Sequence, residues 1–391
     1  MDVESKLARH LQEIPRSGIR DFFELVIGRD DVISLGVGEP DFTTPWAIRE
    51  AAISSLEKGE TSYTSNLGLD RLRHVACDYV EDFFHVKYDG ATECLITVGV
   101  SEALDLALRA LLNPGDEVIF HEPCYVSYSP SVAMAHGVPV SVETKKEDGF
   151  SLKPEALAAA ITPKSKVLML NFPTNPTGAV LEREDLEGIA KLAIEHDLIV
   201  LSDEIYCELT YGDRKHISIA TLPGMRERTV LLHGLSKAFA MTGFRLGFAC
   251  APQQLIEAMM KIHQYGILCA PITSQLAAIE ALQRGEPIYR EMKAAYHERR
   301  DFLVRRLNEM GLDCHTPGGA FYVFPDISKF GLSSFDFAMK LLESEKVAAV
   351  PGTAFGECGE GFLRCCYATS MDKLELAMDA MERFVGKLSA N

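Results

Sequence analysis

Four short apolar runs in the middle of the 391-residue chain are each followed at once by residues that can do chemistry. After Cys94–Val98 come Gly99-Val100-Ser101, and after Lys166–Asn171 come Pro173-Thr174-Asn175-Pro176-Thr177-Gly178. Leu198–Ser202 leads into Asp203-Glu204-Ile205-Tyr206, and Thr229–His233 into Gly234-Leu235-Ser236-Lys237, with Arg245 eight residues on. Taken singly, each has an ordinary reading. Gly99 to Ser101 is a turn with a cap, Asn175 a turn residue between prolines, Asp203 a cap or solvated acid, and Lys237 a surface lysine. Taken together they offer a helix N-terminus and a guanidinium for a phosphate, a carboxylate for a basic ring nitrogen, and an amine for an aldehyde.

The elements that must position these groups are legible from hydrophobic pattern. Apolar runs recur at Cys94–Val98, Glu117–Phe120, Val138–Val142, Lys166–Asn171, Leu198–Ser202, Thr229–His233 and Leu246–Cys250, with helical segments such as 102–112, 154–160 and 183–196 between most of them. Runs that are apolar on both faces and alternate with helices indicate an α/β fold, a mainly parallel sheet covered by helices on both faces. Ligands of such sheets bind beyond the carboxyl ends of the strands, where the segments above lie. After about residue 282 the texture becomes that of a smaller α+β domain. A long charged helix (285–310) is followed by strand-like 319–325, a helix, two more strands and a last helix (371–388). We therefore expect a large domain at 44–282 and a small domain made of 1–43 and 283–391. Residues 5–14 and 19–27 read as short amphipathic helices. Thr44-Pro45 reads as the cap and first residue of a helix stopped by Gly59, with Ile48, Ala52 and Leu56 on its apolar face.

Composition narrows the function classes. Lys and Arg number 39 against 56 Asp and Glu, a net charge of −17, which disfavours nucleic acid as a partner. No apolar run approaches the roughly 20 residues of a membrane span, and the charged N-terminus lacks a signal peptide's apolar core, so a cytoplasmic location is expected. None of the ten cysteines forms a C-x-x-C pair. Most lie in apolar strand-like runs, as buried reduced thiols do, and no cluster has zinc-ligand spacing, so no metal is expected. The vicinal pair Cys365-Cys366 stands out without an assigned role.

Pyridoxal 5′-phosphate is the cofactor that would use the whole donor set. The stretch Ser236-Lys237-Ala238-Phe239-Ala240-Met241-Thr242-Gly243-Phe244-Arg245-Leu246-Gly247 resembles the cofactor-lysine signature of class I/II aminotransferases of the aspartate aminotransferase fold. Asn175-Pro176-Thr177-Gly178, Ser202-Asp203-Glu204-Ile205-Tyr206 and Gly36-Val37-Gly38-Glu39-Pro40-Asp41 resemble further family blocks in the same order, and the resemblance runs from about Ser17 to the end. It implies pyridoxal-phosphate fold type I and a homodimer with shared sites. It also implies roles. Lys237 would bond the cofactor and carry the substrate proton, and Asp203 would pair with the ring nitrogen. Asn175 and Tyr206 would bond the ring's phenolate oxygen, and Tyr125 would stack on its face. Gly99, Val100, Ser101, Ser236 and Arg245 would form the phosphate cup, reached by Tyr63 of a neighbouring subunit. Arg364 would bind the substrate α-carboxylate, with Gly38 leaving it room. Arg364 also stands out unaided, since it lies within the strand-like Phe362-Leu363-Arg364-Cys365-Cys366-Tyr367, where an unpaired charge is costly; a structural ion pair is the alternative.

Two positions depart from the pattern. Dicarboxylate-specific relatives carry an arginine where Ala270 stands in Ile267-Leu268-Cys269-Ala270-Pro271, and many relatives carry a serine where Gly234 stands. The expected activity is therefore transfer of an amino group from an aromatic or apolar L-amino acid, with aspartate possible, to a 2-oxo acid, by family habit 2-oxoglutarate. A diaminopimelate-type aminotransferase, a carbon–sulfur β-lyase and an aminocyclopropane-carboxylate synthase type are alternatives on the same scaffold. An effector domain of a transcription regulator is the non-enzymatic alternative, disfavoured by acidic charge and by the short stretch before the large domain. Arg20, within Ile14–Phe23, is expected to help close the pocket.

Overall fold

The computed structural model describes residues 3–12, 14, 28, 29 and 31–389. The expected helix at 19–27 and Arg20 lie outside them. Among the described residues, seven strands form one sheet: β2 (Cys94–Thr97), β3 (Glu117–Glu122), β4 (Val138–Glu143), β5 (Ser165–Asn171), β6 (Ile199–Asp203), β7 (Thr229–Gly234) and β8 (Gly247–Cys250). Their order is β2-β8-β7-β6-β5-β3-β4, all parallel except β8, which runs antiparallel between β2 and β7.

Side chains alternate across this sheet, as the period of two demands. Ile96, Leu168, Val200, Leu231 and Phe248 enter one apolar core, and their neighbours Leu95, Val167, Leu201, Leu232 and Ala249 enter another on the opposite face. Helices α1 (Trp46–Glu57), α2 (Asp70–Phe84), α6 (Arg183–Glu195) and α8 (Ile272–Arg284) contribute to the first core. Helices α3 (Gly99–Leu111), α4 (Tyr128–Met134) and α7 (Gln253–Gly266) contribute to the second. Strands buried on both faces can be apolar throughout, which is why the runs were visible in the sequence. Helix α5 (Pro154–Ala160) completes the series.

The rest of the chain builds two small sheets. Strand β1 (Ile33–Ser34) pairs in parallel with β10 (Val347–Ala348), which ties the early segment to the C-terminal region. Strands β11 (Val350–Pro351), β12 (Leu363–Cys366) and β9 (Tyr322–Val323) form an antiparallel trio. Helices α9 (Glu286–Glu309), α10 (Ser334–Glu345) and α11 (Met371–Ser389) pack around them.

Two local expectations are corrected. Pro45 is itself the cap position of α1, and the Thr44 hydroxyl donates instead to the Ala240 carbonyl, joining the helix entry to the lysine loop. Leu56 is 57% exposed while Ile48 is fully buried, so the buried stripe of α1 is narrower than its apolar pattern. Gly59 does end the helix in the left-handed region, at φ +74°, with its N–H on the Leu56 carbonyl.

Candidate active site

Every expected site residue except Gly99 and Tyr63 lines one cavity of about 430 Å³ at the carboxyl edge of the sheet. Parallel register sets its floor, because Asn171 and Asp203 end β5 and β6 side by side. Asn171 Nδ2 donates to the Asp203 carbonyl (3.0 Å), and its Oδ1 receives the Asn175 amide (3.3 Å). The Asp203 carboxylate accepts from the Tyr128 hydroxyl at 2.8 Å and from the Ile205 amide at 3.2 Å. Burial dominates over these bonds and pushes the Asp203 carboxyl up to about 6.

Lys237 follows β7 and enters the same space. Its Nζ donates to the Gly38 carbonyl at 2.7 Å and lies 5.6 Å from the Tyr206 ring centre and 5.7 Å from that of Phe321. Burial, with Arg364 and Arg245 adding like charge, draws its amine down to about 8. A lysine in this state reaches its neutral, nucleophilic form near physiological pH.

The phosphate end depends on close backbone approach. Helix α3 begins at Gly99; Glu102 Oε2 takes the N–H of the cap residue Val98 at 2.6 Å, and among the described residues no side chain takes the N–H groups of Gly99, Val100 and Ser101, the last two lining the cavity. Gly99 has φ +76°, and a Cβ there would come within 2.7 Å of Arg245 Nη2. A Cβ on Gly247 would meet the Val100 nitrogen at 2.7 Å, so β8 can lie against the helix start only as glycine. Arg245 is itself left-handed (φ +49°) and donates to the Thr242 carbonyl at 3.0 Å. Ser101 and Ser236 line the cavity beside it.

Arg364 comes from β12 and is 2% exposed. Its Nη1 donates to Asn175 Oδ1 at 3.1 Å and its Nη2 to the Gly36 carbonyl, while Nε has no partner. Its charge centre lies 4.7 Å from both the Tyr322 and Phe355 ring centres. Its partners are thus neutral oxygens and π faces, not the carboxylate of a structural ion pair. A buried guanidinium so placed favours an incoming anion. Gly38 sits opposite, where a Cβ would collide with the Tyr322 hydroxyl.

Several cavity residues escaped the sequence reading. Tyr128 bonds Asp203, and Tyr322 shares a 2.8 Å hydroxyl contact with Tyr206. Tyr206 therefore faces another phenol here. Asn171 was visible only as the last residue of an apolar run. Tyr63 lies outside this cavity and is 83% exposed; Trp46 and Tyr265 are exposed as well.

The residues fit pyridoxal 5′-phosphate. A helix start with N–H groups that no side chain takes, together with Arg245 and Ser236, suits a phosphate dianion, and a buried carboxyl with no cation in contact suits a ring N–H⁺. The amine of Lys237 is poised for an aldehyde. Elsewhere, Cys77, Cys94 and Cys250 converge from α2, β2 and β8 with their sulfurs within 4.8 Å of one another, a grouping that sequence spacing did not reveal. Cys365 and Cys366 are buried and unlinked. Among the described residues, no helix is long and apolar enough to cross a membrane.

Comparison with known proteins agrees with this geometry. The family profile described as aminotransferase class I and II matches residues 30–381. A putative aminotransferase, YugH, of Bacillus subtilis is 53% identical over 98% of this chain and 100% of its own length. An aspartate aminotransferase of Pyrococcus abyssi is 46% identical over 96% of this chain and 97% of its own. The crystal structure of an aromatic aminotransferase from Pyrococcus horikoshii superposes with a TM-score of 0.90 at 46% identity, covering 94% of this chain and 99% of that one.

Proposed function

The chain belongs to the class I and II aminotransferases, pyridoxal-phosphate enzymes of fold type I that move an amino group from an amino acid to a 2-oxo acid, and on that premise we propose that its preferred donors carry aromatic or apolar side chains. The observation that carries this reading is the cation count of the cavity. Lys237, Arg245 and Arg364 are its only basic lining residues among those described, one each for the aldehyde, the phosphate and a single α-carboxylate. Ala270 is buried and offers no second clamp.

Bound pyridoxal 5′-phosphate supplies an aldehyde that bonds amines and a protonated ring that draws electrons from the substrate's Cα. We assign the remaining work to the chain. The α3 N-terminus, with Gly99, Val100 and Ser101, holds the phosphate together with Ser236 and Arg245. Asp203 keeps the ring nitrogen protonated. Asn175 and Tyr206 serve the ring's phenolate oxygen, and Tyr125 covers its face. Arg364, oriented by Asn175, forks onto the donor's α-carboxylate, and Gly38 leaves room for it. Lys237 would take the proton from the donor's Cα and deliver it to the cofactor's aldehyde carbon, on the far side of the amino nitrogen, a transfer that needs its neutral amine. The same residues run the reverse half-reaction on the acceptor, for which 2-oxoglutarate is our candidate.

Homodimerisation with shared sites is supported by the exposure of Tyr63, Trp46 and Tyr265; Tyr63 then reaches a partner's phosphate. The division into a large domain at 44–282 and a small one at 1–43 and 283–391 is supported by the pairing of β1 with β10. We place the enzyme in the cytoplasm.

A second reading is favoured by the relatives whose names specify aspartate. In it, a basic group outside the described residues or on a partner reads an acidic side chain. A single-turnover screen separates the two, following the visible band of the bound cofactor as each amino acid is added. Conversion with Tyr or Phe but not with Asp is expected; conversion with Asp, Glu or a diaminopimelate compound instead would establish the second reading. Ammonia and pyruvate released from cystathionine without a 2-oxo acid would reveal lyase chemistry.

A further inference from the structure

Behind the cavity floor, on the opposite face of the sheet, lies a buried group of charges that the proposed chemistry does not use. His233 is the penultimate residue of β7, one position beyond Leu232, whose Cα pairs with that of Asp203. Alternation sends Asp203 and His233 to opposite faces of the two adjoining strands. His233 is fully buried, packed against the Phe84 ring from α2 (5.4 Å between ring centres) and the Phe248 ring from β8 (5.3 Å).

Both of its ring nitrogens face oxygen acceptors. Nδ1 lies 3.1 Å from the Glu204 carbonyl in hydrogen-bond geometry, and Nε2 lies 2.9 Å from Glu208 Oε1, an ion-pair distance without hydrogen-bond alignment. A neutral imidazole has one N–H and would turn a lone pair on one of these oxygens; the imidazolium has a proton for each. Glu208 is committed as an acceptor on both oxygens, from the Tyr79 hydroxyl at 2.7 Å and the Cys207 thiol at 3.1 Å. It is thereby held as a carboxylate, so the proton belongs on the histidine. Glu204, the residue after Asp203, is engaged separately by His216 and by the Ser202 and Ser218 hydroxyls.

We propose that His233, held as an imidazolium by Glu208 and the Glu204 carbonyl, is a positioning residue that keeps Asp203 ionised from across the sheet. The inference rests on Asp203 being the acid that serves the cofactor's ring nitrogen. The groups bearing on Asp203 are Tyr128 from α4, Glu204 on its own segment and His233 from β7. Tyr128 and the Ile205 amide donate, Glu204 opposes ionisation, and His233 favours it from behind the sheet, while Lys237, Arg245 and Arg364 line the cavity in front and bond other groups. The field of His233 crosses a backbone layer that excludes water, where screening is weak. The ring nitrogen keeps its proton only while Asp203 keeps its charge.

The test reads protonation directly. Asp203 is followed by carboxyl ¹³C NMR in the apoprotein, its signal identified by loss in Asp203→Asn, and the ring nitrogen is followed by ¹⁵N NMR with labelled cofactor. His233→Gln should move the Asp203 midpoint upward by about one pH unit and shift the ring ¹⁵N signal toward the unprotonated form at pH 7, where about half of Asp203 would then carry a proton. Glu208→Gln should move it the same way by less, since it removes an anion while releasing the His233 proton. A folded His233→Gln protein with an unmoved midpoint overturns the proposal. Should that variant fail to fold, ¹⁵N shifts of His233 in the wild-type apoprotein decide the matter. Two protonated nitrogens between pH 6 and 9 are required, and a single N–H tautomer overturns it. If Asp203→Asn leaves the ring ¹⁵N signal unchanged, the assignment of Asp203 fails instead, and the two failures are thus distinguished.

Discussion

Asp203 and Glu208 are five residues apart, both buried, and electrostatically opposite. Glu208 meets the His233 imidazolium at 2.9 Å, and that cation, with the Tyr79 and Cys207 donors, holds its carboxyl below the usual range despite burial. Asp203 meets a hydroxyl and an amide, with no cation in contact, and burial leaves its carboxyl raised to about 6. The charge behind the sheet is complete within the fold; the charge facing the cavity is left for a ligand to complete. Two buried arginines repeat the contrast. Arg73 is held by the Gly90 and Ala91 carbonyls and by Asp70, whereas Arg364 touches only neutral oxygens and rings beside the cavity. Both arginines leave Nε unpartnered, so the missing counter-ion, and not an idle nitrogen, distinguishes working groups from structural ones here.

The sharpest way to break this comparison is at the lysine. Lys237→Ala should lose the visible band of the bound cofactor and lower turnover by about 10⁴-fold, the upper end of what a general base contributes; retained turnover would sink the assignment. Next in size is the pair of carboxylates, where opposite signs are expected for the apoprotein. Glu208→Gln should destabilise it by about 3–5 kcal/mol, because the buried ion pair is broken and His233 must give up its proton inside the core. Asp203→Asn should stabilise it by about 1–3 kcal/mol at pH 7 while abolishing most turnover. The sign follows from linkage. A carboxyl with a raised folded pKa contributes most stability below its unfolded value near 4, and that contribution is lost as pH rises through about 6. Denaturant titrations of wild type should therefore show stability falling from pH 4 to 6, and Asp203→Asn should remove Asp203's share of the fall. Equal destabilisation by both variants would erase the distinction.

The arginines provide a smaller contrast. Arg364→Lys should lower kcat/KM for amino donors by roughly 10²-fold through loss of the fork. Arg73→Lys should cost about 1–3 kcal/mol of stability and leave KM unchanged. A KM effect from Arg73, or none from Arg364, would reverse their roles. Smallest is Tyr128→Phe, which removes one donor from Asp203. Its expected cost is about 1 kcal/mol, read as a several-fold drop in kcat/KM and a small upward move of the Asp203 midpoint.

The sequence by itself determined the seven-stranded layer and the segments at its carboxyl edge. Runs such as Lys166–Asn171 and Thr229–His233 are apolar on both faces, and this layer needs exactly such strands, so period and length located them within about two residues. Lys237, Asp203 and Asn175 were legible because they follow those runs closely, Arg245 because it lies eight residues past Lys237 in the stretch that resembles the cofactor-lysine signature, and Arg364 because a charge inside an apolar strand demands an explanation. The limits of the reading lie where packing decides. Leu56 shares the apolar period of Ile48 yet stays exposed, since period says which face a residue shares but not where a neighbour covers it. Tyr128, Tyr322 and His233 carry no local signal at all. Tyr128 reaches Asp203 across 75 positions and Tyr322 reaches Tyr206 across 116; such pairs exist only once the elements are docked. The charge state of Asp203, Glu208 and Lys237 likewise came from the tertiary structure. Ionisation depends on burial and on opposing charges brought from distant parts of the chain, and neither is a property of residue order.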